Sequence, residues 1–224
     1  MANTRNIALN VLLKIENEGA YSNIALNNAI KENRLSGVDS SFVSALVYGV
    51  LERRITLDYI IRSYSKIPLR KIETKTKNIL RLGILQLLFM DKVPDSAAVN
   101  ESVNLAKKHK LQKSSGFING ILRNITRAEV KYTLPDEKDR VRYLSVKYSV
   151  PENIVKLWVN SYGENNTEQL LASLNGRAKI CCRVNTLRTD ADTLIKKLSD
   201  EGVVAEKIPF INNALYLENT GSVE

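Results

Sequence analysis

Two cysteines occur in this chain, and they stand side by side as Cys181 and Cys182. A thiolate attacks well once a histidine, lysine or helix start lowers its pKa, and none of these adjoins the pair. Adjacent strand residues point to opposite faces, so at most one of the two could enter a site, and strand packing is the expected role of both. Adjacency also rules out a disulfide framework or a spaced zinc cluster. His109 is the single histidine, which removes a catalytic triad and a two-histidine metal site. No Gly-x-Gly occurs, so no glycine-rich turn lets the backbone approach a nucleotide cofactor closely, and no Pro-Cys dipeptide occurs either. Neither a catalytic residue nor a cofactor or metal ligand is expected within these 224 residues.

The charged residues say more. Lys107, Lys108, Lys110, Lys113, Arg123 and Arg127 fall within 21 positions that contain no acid. A surface that need only be soluble is normally diluted with Asp and Glu, so this density points to an anionic partner. Arg123 and Arg127 lie one helical turn apart on one face. Over the longer range, residues 1–130 hold 20 Lys and Arg against 11 Asp and Glu, whereas residues 131–224 hold 13 against 13. The whole net charge of +9 therefore sits in the first part, and a nucleic-acid phosphate backbone is the commonest partner for such a surface. Arg5, Arg53, Arg54 and Arg81 are weaker candidates, the central pair having Glu52 and Asp58 near enough to neutralise it. For His109 a solvated place among lysines is expected, with stacking on RNA as the alternative.

The elements that must hold these residues are mainly helical. Ile7, Val11 and Ile15 recur every four residues, as do Phe42, Leu46 and Val50, and six or seven helices are expected from Thr4 to Arg127. A break is placed at Arg53 to Thr56 with Thr56 as cap. The apolar run Ile79 to Met90 reads as a buried helix, too short and too polar at Arg81 and Gln86 to cross a bilayer. Asp95 is expected to cap the next helix, with Val99, Val103 and Ala106 inward. The helix Ser115 to Arg127 turns Ile118, Ile121, Leu122 and Ile125 to the core. Lys131 to Asp139, with Pro135, reads as a linker, so the domains are expected at 1–130 and 140–224. Three short helices follow, at Val141 to Tyr148, Pro151 to Tyr162 and Asn166 to Leu174. A small αβ unit closes the chain: strands at Lys179 to Asn185, Val203 to Ile208 and Ala214 to Leu217, and a helix ending near Asp200 behind a capping box of Thr189 and Asp192.

Several strings are specific. Val93-Pro94-Asp95-Ser96-Ala97-Ala98-Val99-Asn100-Glu101-Ser102-Val103, followed by Leu105-Ala106-Lys107, Phe117-Ile118-Asn119 and Leu122-Arg123, closely resembles the NusB-like RNA-binding domain. Ile79-Leu80-Arg81-Leu82-Gly83 with Gln86-Leu87-Leu88, and Leu46-Val47-Tyr48-Gly49-Val50-Leu51, resemble it too. Beyond the linker, Arg183-Val184-Asn185-Thr186-Leu187 resembles the strand that opens the methyltransferase region of the Sun/RsmB family. That resemblance implies a NusB-like bundle, then a short helical segment and a small α+β, RRM-like subdomain. It implies a parent enzyme that methylates cytosine-5 in small-subunit ribosomal RNA, with S-adenosylmethionine and a cysteine nucleophile supplied by a further Rossmann-type domain. It also places an arginine that faces RNA at the start of the first helix, here Arg5. The chain is accordingly expected to be an inactive, RNA-docking N-terminal portion.

Two other functions stay open at this level. A non-enzymatic NusB-like adaptor could use the same basic face on RNA or a ribosomal protein, and an interdomain scaffold could use it against an acidic protein surface. The first helix, interrupted at Asn10 and Lys14, does not read as a signal peptide, and with no disulfide pattern the expected compartment is the reducing cytoplasm.

Overall fold

The computed structural model describes residues 4–174 and 179–220. Eleven α-helices and three strands lie among the described residues, in two units that part between Ala172 and Ser173. The first holds α1 (Thr4–Glu18), α2 (Ser22–Glu32), α3 (Gly37–Glu52), α4 (Arg54–Tyr64), α5 (Thr74–Phe89), α6 (Asp95–Lys108), α7 (Gln112–Arg127), α8 (Arg140–Tyr148), α9 (Glu152–Tyr162) and most of α10 (Glu164–Leu174). No described helix is long and apolar enough to cross a membrane.

Helix α5 is the axis of the bundle. Every residue from Asn78 to Gln86 is buried, and the helix packs on α1, α3, α4, α6 and α7. A helix enclosed on all sides must be apolar on all sides or pair whatever polar groups it carries. Here Arg81, 2% exposed, meets its partners inside. Its Nε and Nη2 donate to the two carboxylate oxygens of Asp58 on α4 at 2.7 and 2.8 Å, and its Nη1 donates to Glu16 on α1 at 2.9 Å. The Asn78 amide donates to the same Glu16 oxygen at 2.8 Å and its carbonyl accepts from Arg81 at 3.1 Å. One guanidinium thus ties three helices together. Gly83, half a turn on, is where α6 and α7 close against α5, because a Cβ there would stand 2.8 Å from Leu122 and 2.9 Å from the Ser102 hydroxyl.

Around this axis the apolar core runs from Ile7 to Ile125. Each fully buried Leu or Ile in it contributes roughly 1.5–3 kcal/mol. Ile7, Val11, Leu46, Val50, Val99, Ala106, Ile118, Ile121, Leu122 and Ile125 are buried, as their spacing predicts, whereas Ile15, Phe42 and Val103 are only half-buried. The α3–α4 break falls at Arg53, but Thr56 is not its cap. Thr56 is buried within α4, and its hydroxyl donates to the Val146 carbonyl at 2.5 Å. Asp95 sits inside the first turn of α6, with Pro94 at the cap position and no side-chain cap bond, so it acts through its charge on the helix dipole.

Contacts with the bundle continue through residues 131–139, the expected linker, and the compact units part further on, between Ala172 and Ser173. Tyr64 donates to the Lys131 carbonyl at 2.6 Å, Ile55 N–H donates to the Ser149 hydroxyl at 3.0 Å, and α8 packs on α4. Tyr132 packs against the main core, while Leu134 packs on a small second cluster of Tyr143, Leu144, Val155 and Leu171. Residues 131–172 are therefore fastened to the bundle by hydrogen bonds that a reading of composition cannot see.

The second unit is a three-stranded antiparallel sheet in the order β1-β3-β2, made of β1 (Ile180–Arg183), β2 (Val204–Lys207) and β3 (Ala214–Glu218), with α11 (Ala191–Asp200) between the first two in sequence. Cys181 lies opposite Tyr216 and Cys182 opposite Leu215, while Tyr216 faces Glu206 on the other side. The cap of α11 is Asp190 rather than Thr189 with Asp192: its carboxylate accepts from Thr193 N–H at 2.9 Å and from the Thr193 hydroxyl at 2.7 Å.

Arg81→Ala leaves two poorly exposed carboxylates facing one another without their cation. A loss of about 3–5 kcal/mol is expected, read by urea titration. Burial opposes the charge on Glu16, but the Asn78 amide and the cations Arg81, Lys77 and Arg54 outweigh it and hold its carboxyl below the ordinary value. A carboxyl depressed in the folded state contributes stability that is fully present above its unfolded pKa and is lost as pH falls from there through the lower folded value. That acid loss should be smaller in Glu16→Gln.

A piece ending at residue 130 keeps every buried residue of the main core. It should still melt cooperatively by circular dichroism, weakened by about 1–3 kcal/mol for the orphaned Thr56 hydroxyl and Ile55 N–H. Non-cooperative melting would mean that the bundle cannot dispense with α8–α10.

Candidate nucleic-acid interface

Helices α6 and α7 are joined by only three residues and pack along one another, which makes them antiparallel neighbours. The joint is a Schellman closure: Leu111 N–H donates to the Ala106 carbonyl at 2.9 Å and Lys110 N–H to the Lys107 carbonyl at 3.0 Å. Lys110 takes the left-handed position of that motif, φ 59°, where glycine would fit without strain. Lysine costs about 1 kcal/mol more there. The chain nevertheless keeps a cation at the turn.

Between the two helices lies an open groove of about 490 Å³. Asn100, Val103, Asn104 and Lys107 form its α6 wall, and Ser115, Gly116, Asn119 and Arg123 its α7 wall. The α6 set falls at i, i+3, i+4 and i+7, and on α7 Ser115, Asn119 and Arg123 recur every four residues with Gly116 beside them, so each set is one helix face. The Arg123 Nε donates to the Asn119 side-chain carbonyl at 2.9 Å, which fixes the guanidinium on the wall. Gly116 has open space where a Cβ would stand, so packing does not require glycine there, and any larger residue would narrow the groove. Lys107, Lys108, Lys110, Lys113, Arg123 and Arg127 are all exposed on this part of the bundle. The groove thus offers cations for phosphate and amides that can donate to and accept from bases or ribose.

His109 is not a solvated loop residue. It is the C-cap of α6, half-buried, and its Nε2 pairs with the Asn6 side-chain oxygen at 2.7 Å, so that Nε2 carries the proton. Partial burial and the cations Lys75 and Lys108 hold its pKa below the ordinary value. Its neutral ring joins α6 to the start of α1.

The other candidates divide. Arg81 belongs to the buried ion network and presents nothing to a ligand, so its expected contact with RNA is withdrawn: a guanidinium 2% exposed with two carboxylate partners cannot reach phosphate. Arg5 is half-buried, its Nε donating to Gln86 at 2.7 Å and its plane lying 5.2 Å from the Phe42 ring centroid, and it does not line the groove. Arg53 pairs with Glu52 and lies over Phe89, while Arg54 pairs with Glu16. Cys182 is half-buried, but Cys181 is exposed, its thiol donating weakly to the Lys179 carbonyl at 3.5 Å, so strand packing does not describe it. No cluster of three metal-ligating side chains occurs among the described residues. Asn104, Ser115 and Asn119 were missed by sequence reasoning that followed charge alone. Their four-residue spacing with Asn100 and Arg123 was the available signal.

A family model for the NusB family matches residues 2–127, more than half of the chain. The chain belongs to the NusB family. A second model, the ferredoxin-like domain of the Methyltr_RsmF/B-like group, matches residues 150–224. The "Probable ribosomal RNA small subunit methyltransferase B" of Bacillus subtilis (strain 168) is 35% identical over 213 residues, which is 95% of this chain and 47% of that protein. A "Transcription antitermination protein NusB" from Nocardioides sp. is 36% identical over 124 residues, 55% of this chain and 90% of that one. The chain spans about half the length of the curated methyltransferase relatives it matches. A crystal structure of antitermination factors NusB and NusE in complex with dsRNA shares the fold over 55% of this chain and 92% of its own, with 23% identity and a TM-score of 0.50. The mainly helical, NusB-like bundle and the small ferredoxin-like unit are thus both present, as the sequence led one to expect.

If the exposed cations of α6 and α7 contact phosphates, those in the groove and those beside it alike, replacing Arg123 and Arg127 together by Ala should flatten the slope of log affinity against log salt by roughly one to two units. Binding should weaken alike across RNA sequences, because phosphate contacts do not read bases. Anisotropy titrations at several salt concentrations would measure it; an unchanged slope would place the RNA contact elsewhere.

Proposed function

We propose that this chain is the RNA-docking portion of a small-subunit ribosomal RNA cytosine-5 methyltransferase, holding substrate RNA for an S-adenosylmethionine-dependent catalytic domain of the same polypeptide. The observation that carries the reading is the α6–α7 groove, where Lys107 and Arg123 stand among amides in a stretch without acids. What supports an enzyme rather than an adaptor is the second unit, since the free-standing NusB relatives match only the first half of the chain. Remote binding energy can orient a substrate at a reacting centre, which is the use such a module has. Within this chain no residue is assigned to methyl transfer or to cofactor binding, and the proposed compartment is the cytoplasm.

The alternative, a NusB-like adaptor in antitermination or ribosome assembly, is favoured by the 90% coverage of the Nocardioides antitermination protein. Reading the gene past the codon for Glu224 decides between them. A glycine-rich cofactor loop followed by a Pro-Cys motif is expected, and a stop codon would sink the methyltransferase reading. For the chain itself, affinity for a small-subunit rRNA hairpin should fall with salt at a slope on the order of −3 to −5, as about four to six phosphate contacts require. No labelled methyl should be incorporated by these residues alone. Turnover abolished by Cys181→Ala would overturn that assignment, and absence of binding at low salt would favour a protein scaffold.

A further inference from the structure

Helix α10 closes the first unit and leads into the second, which begins at Ser173. The helices before it are firmly placed: α8 packs on α4 and is tied to it by the bonds of Thr56 and Ile55, and α9 packs on α8. What holds α10 is of another kind. Among the described residues it buries only Thr167 and Leu171, while Leu170 and Leu174, one turn apart, stay 42% and 59% exposed. Its ionic hold on α8 centres on one carboxylate. Glu168 accepts from the Arg140 guanidinium, from the Lys147 ammonium at 2.7 Å and from the Tyr148 hydroxyl at 3.2 Å, all on α8. Glu164, a turn earlier on α10, lies 3.9 Å from the same Arg140. The hydrogen bond from Lys147, with that from Arg140, holds the Glu168 carboxyl below its ordinary value. Arg140 and Lys147 also lie 5.4 and 5.3 Å from the Tyr143 ring centroid, so α8 keeps both cations in place by itself. One group works against docking. Thr167 is fully buried, yet its hydroxyl has no hydrogen-bond partner among the described residues. An orphaned hydroxyl destabilises the docked state alone, because water satisfies it as soon as the helix leaves.

We propose that α10 is a detachable strap, latched to α8 by Glu168 and kept close to release by the unpartnered Thr167 hydroxyl. Elements that bury few apolar groups open at low free energy, without unfolding the rest of the domain. The apolar loss on opening is small, since Leu171 is the one α10 side chain in the cluster of Tyr143, Leu144 and Val155. Eleven residues make a marginal helix in water, so α10 unfolds once it leaves α8 and α9. The released segment is a flexible connection of about 17–20 Å root-mean-square length, against about 16 Å for the docked helix. The change is therefore one of freedom rather than reach: docked, α10 gives the chain one direction as it enters the second unit, and released it gives many. The latch is also open to solvent, with the Lys147 and Glu168 side chains 34% and 27% exposed, so salt weakens it. It needs no RNA and stands apart from the groove.

Hydrogen exchange on the whole chain, followed by mass spectrometry, reads the opening directly, with the α5 amides as the control for the stability of the bundle. Glu168→Gln keeps the size of the side chain and removes its charge. The α10 amides should then exchange roughly threefold to tenfold faster, while those of α5 stay as they were. Thr167→Val removes the orphaned hydroxyl at nearly constant shape, and α10 should exchange about fivefold more slowly. Raising salt from about 0.1 M to about 1 M should speed α10 exchange in the parent and have little effect in Glu168→Gln. Opposite responses at two adjacent positions of one helix distinguish a latch with a counterweight from a helix that is merely packed. Unchanged α10 exchange in Glu168→Gln overturns the proposal. So does unchanged or faster exchange in Thr167→Val, or α10 amides that exchange only together with those of α5.

Discussion

A single guanidinium buried among three helices constrains everything that the first unit displays. Arg81 can lie 2% exposed only because Asp58 takes two of its N–H groups and Glu16 a third, with Asn78 completing the set. Burial alone would lower its pKa, and the carboxylate partners more than reverse this, so the cation is retained. Such a network contributes less to net stability than apolar packing of the same volume would, since each ion had to leave water. What it does impose is register: α1, α4 and α5 have one relative position in which all of these bonds form.

The groove follows from that register. With α5 fixed, Gly83 decides how near α6 and α7 can come, because Ser102 and Leu122 occupy the space of its missing side chain. Their buried faces, Ala98, Val99, Ser102, Leu105 and Ala106 on α6 and Ile118, Ile121, Leu122 and Ile125 on α7, then turn the opposite faces outward as a pair of parallel walls. The Schellman turn at Lys110 closes one end, and the neutral His109 ring anchors that end to Asn6 of α1. Cations held on walls of this kind lose little conformational freedom when phosphate arrives, which is why a site on helices is more precise than one on a loop.

How far this was legible in the sequence depends on the interaction concerned. Periodicity placed the core of α5 and α7 correctly, and that of α6 apart from Val103, because apolar burial is written residue by residue at helical spacing. The strings around Pro94 to Val103 located the NusB-like fold, and Arg183 to Leu187 pointed to the second unit. Arg81 was misjudged since its partners lie 23 and 65 positions away, and a charge with distant partners reads locally as an exposed one. Thr56 was misjudged for the same reason, its bond to Val146 spanning 90 residues, and the bond from Tyr64 that fastens the 131–139 segment to the bundle spans 67. Asp95 and the Thr189 pair were errors of one position, where Pro94 and Asp190 took the cap. Asn104 and Asn119 were within reach, had the polar face of each helix been read as carefully as the apolar one.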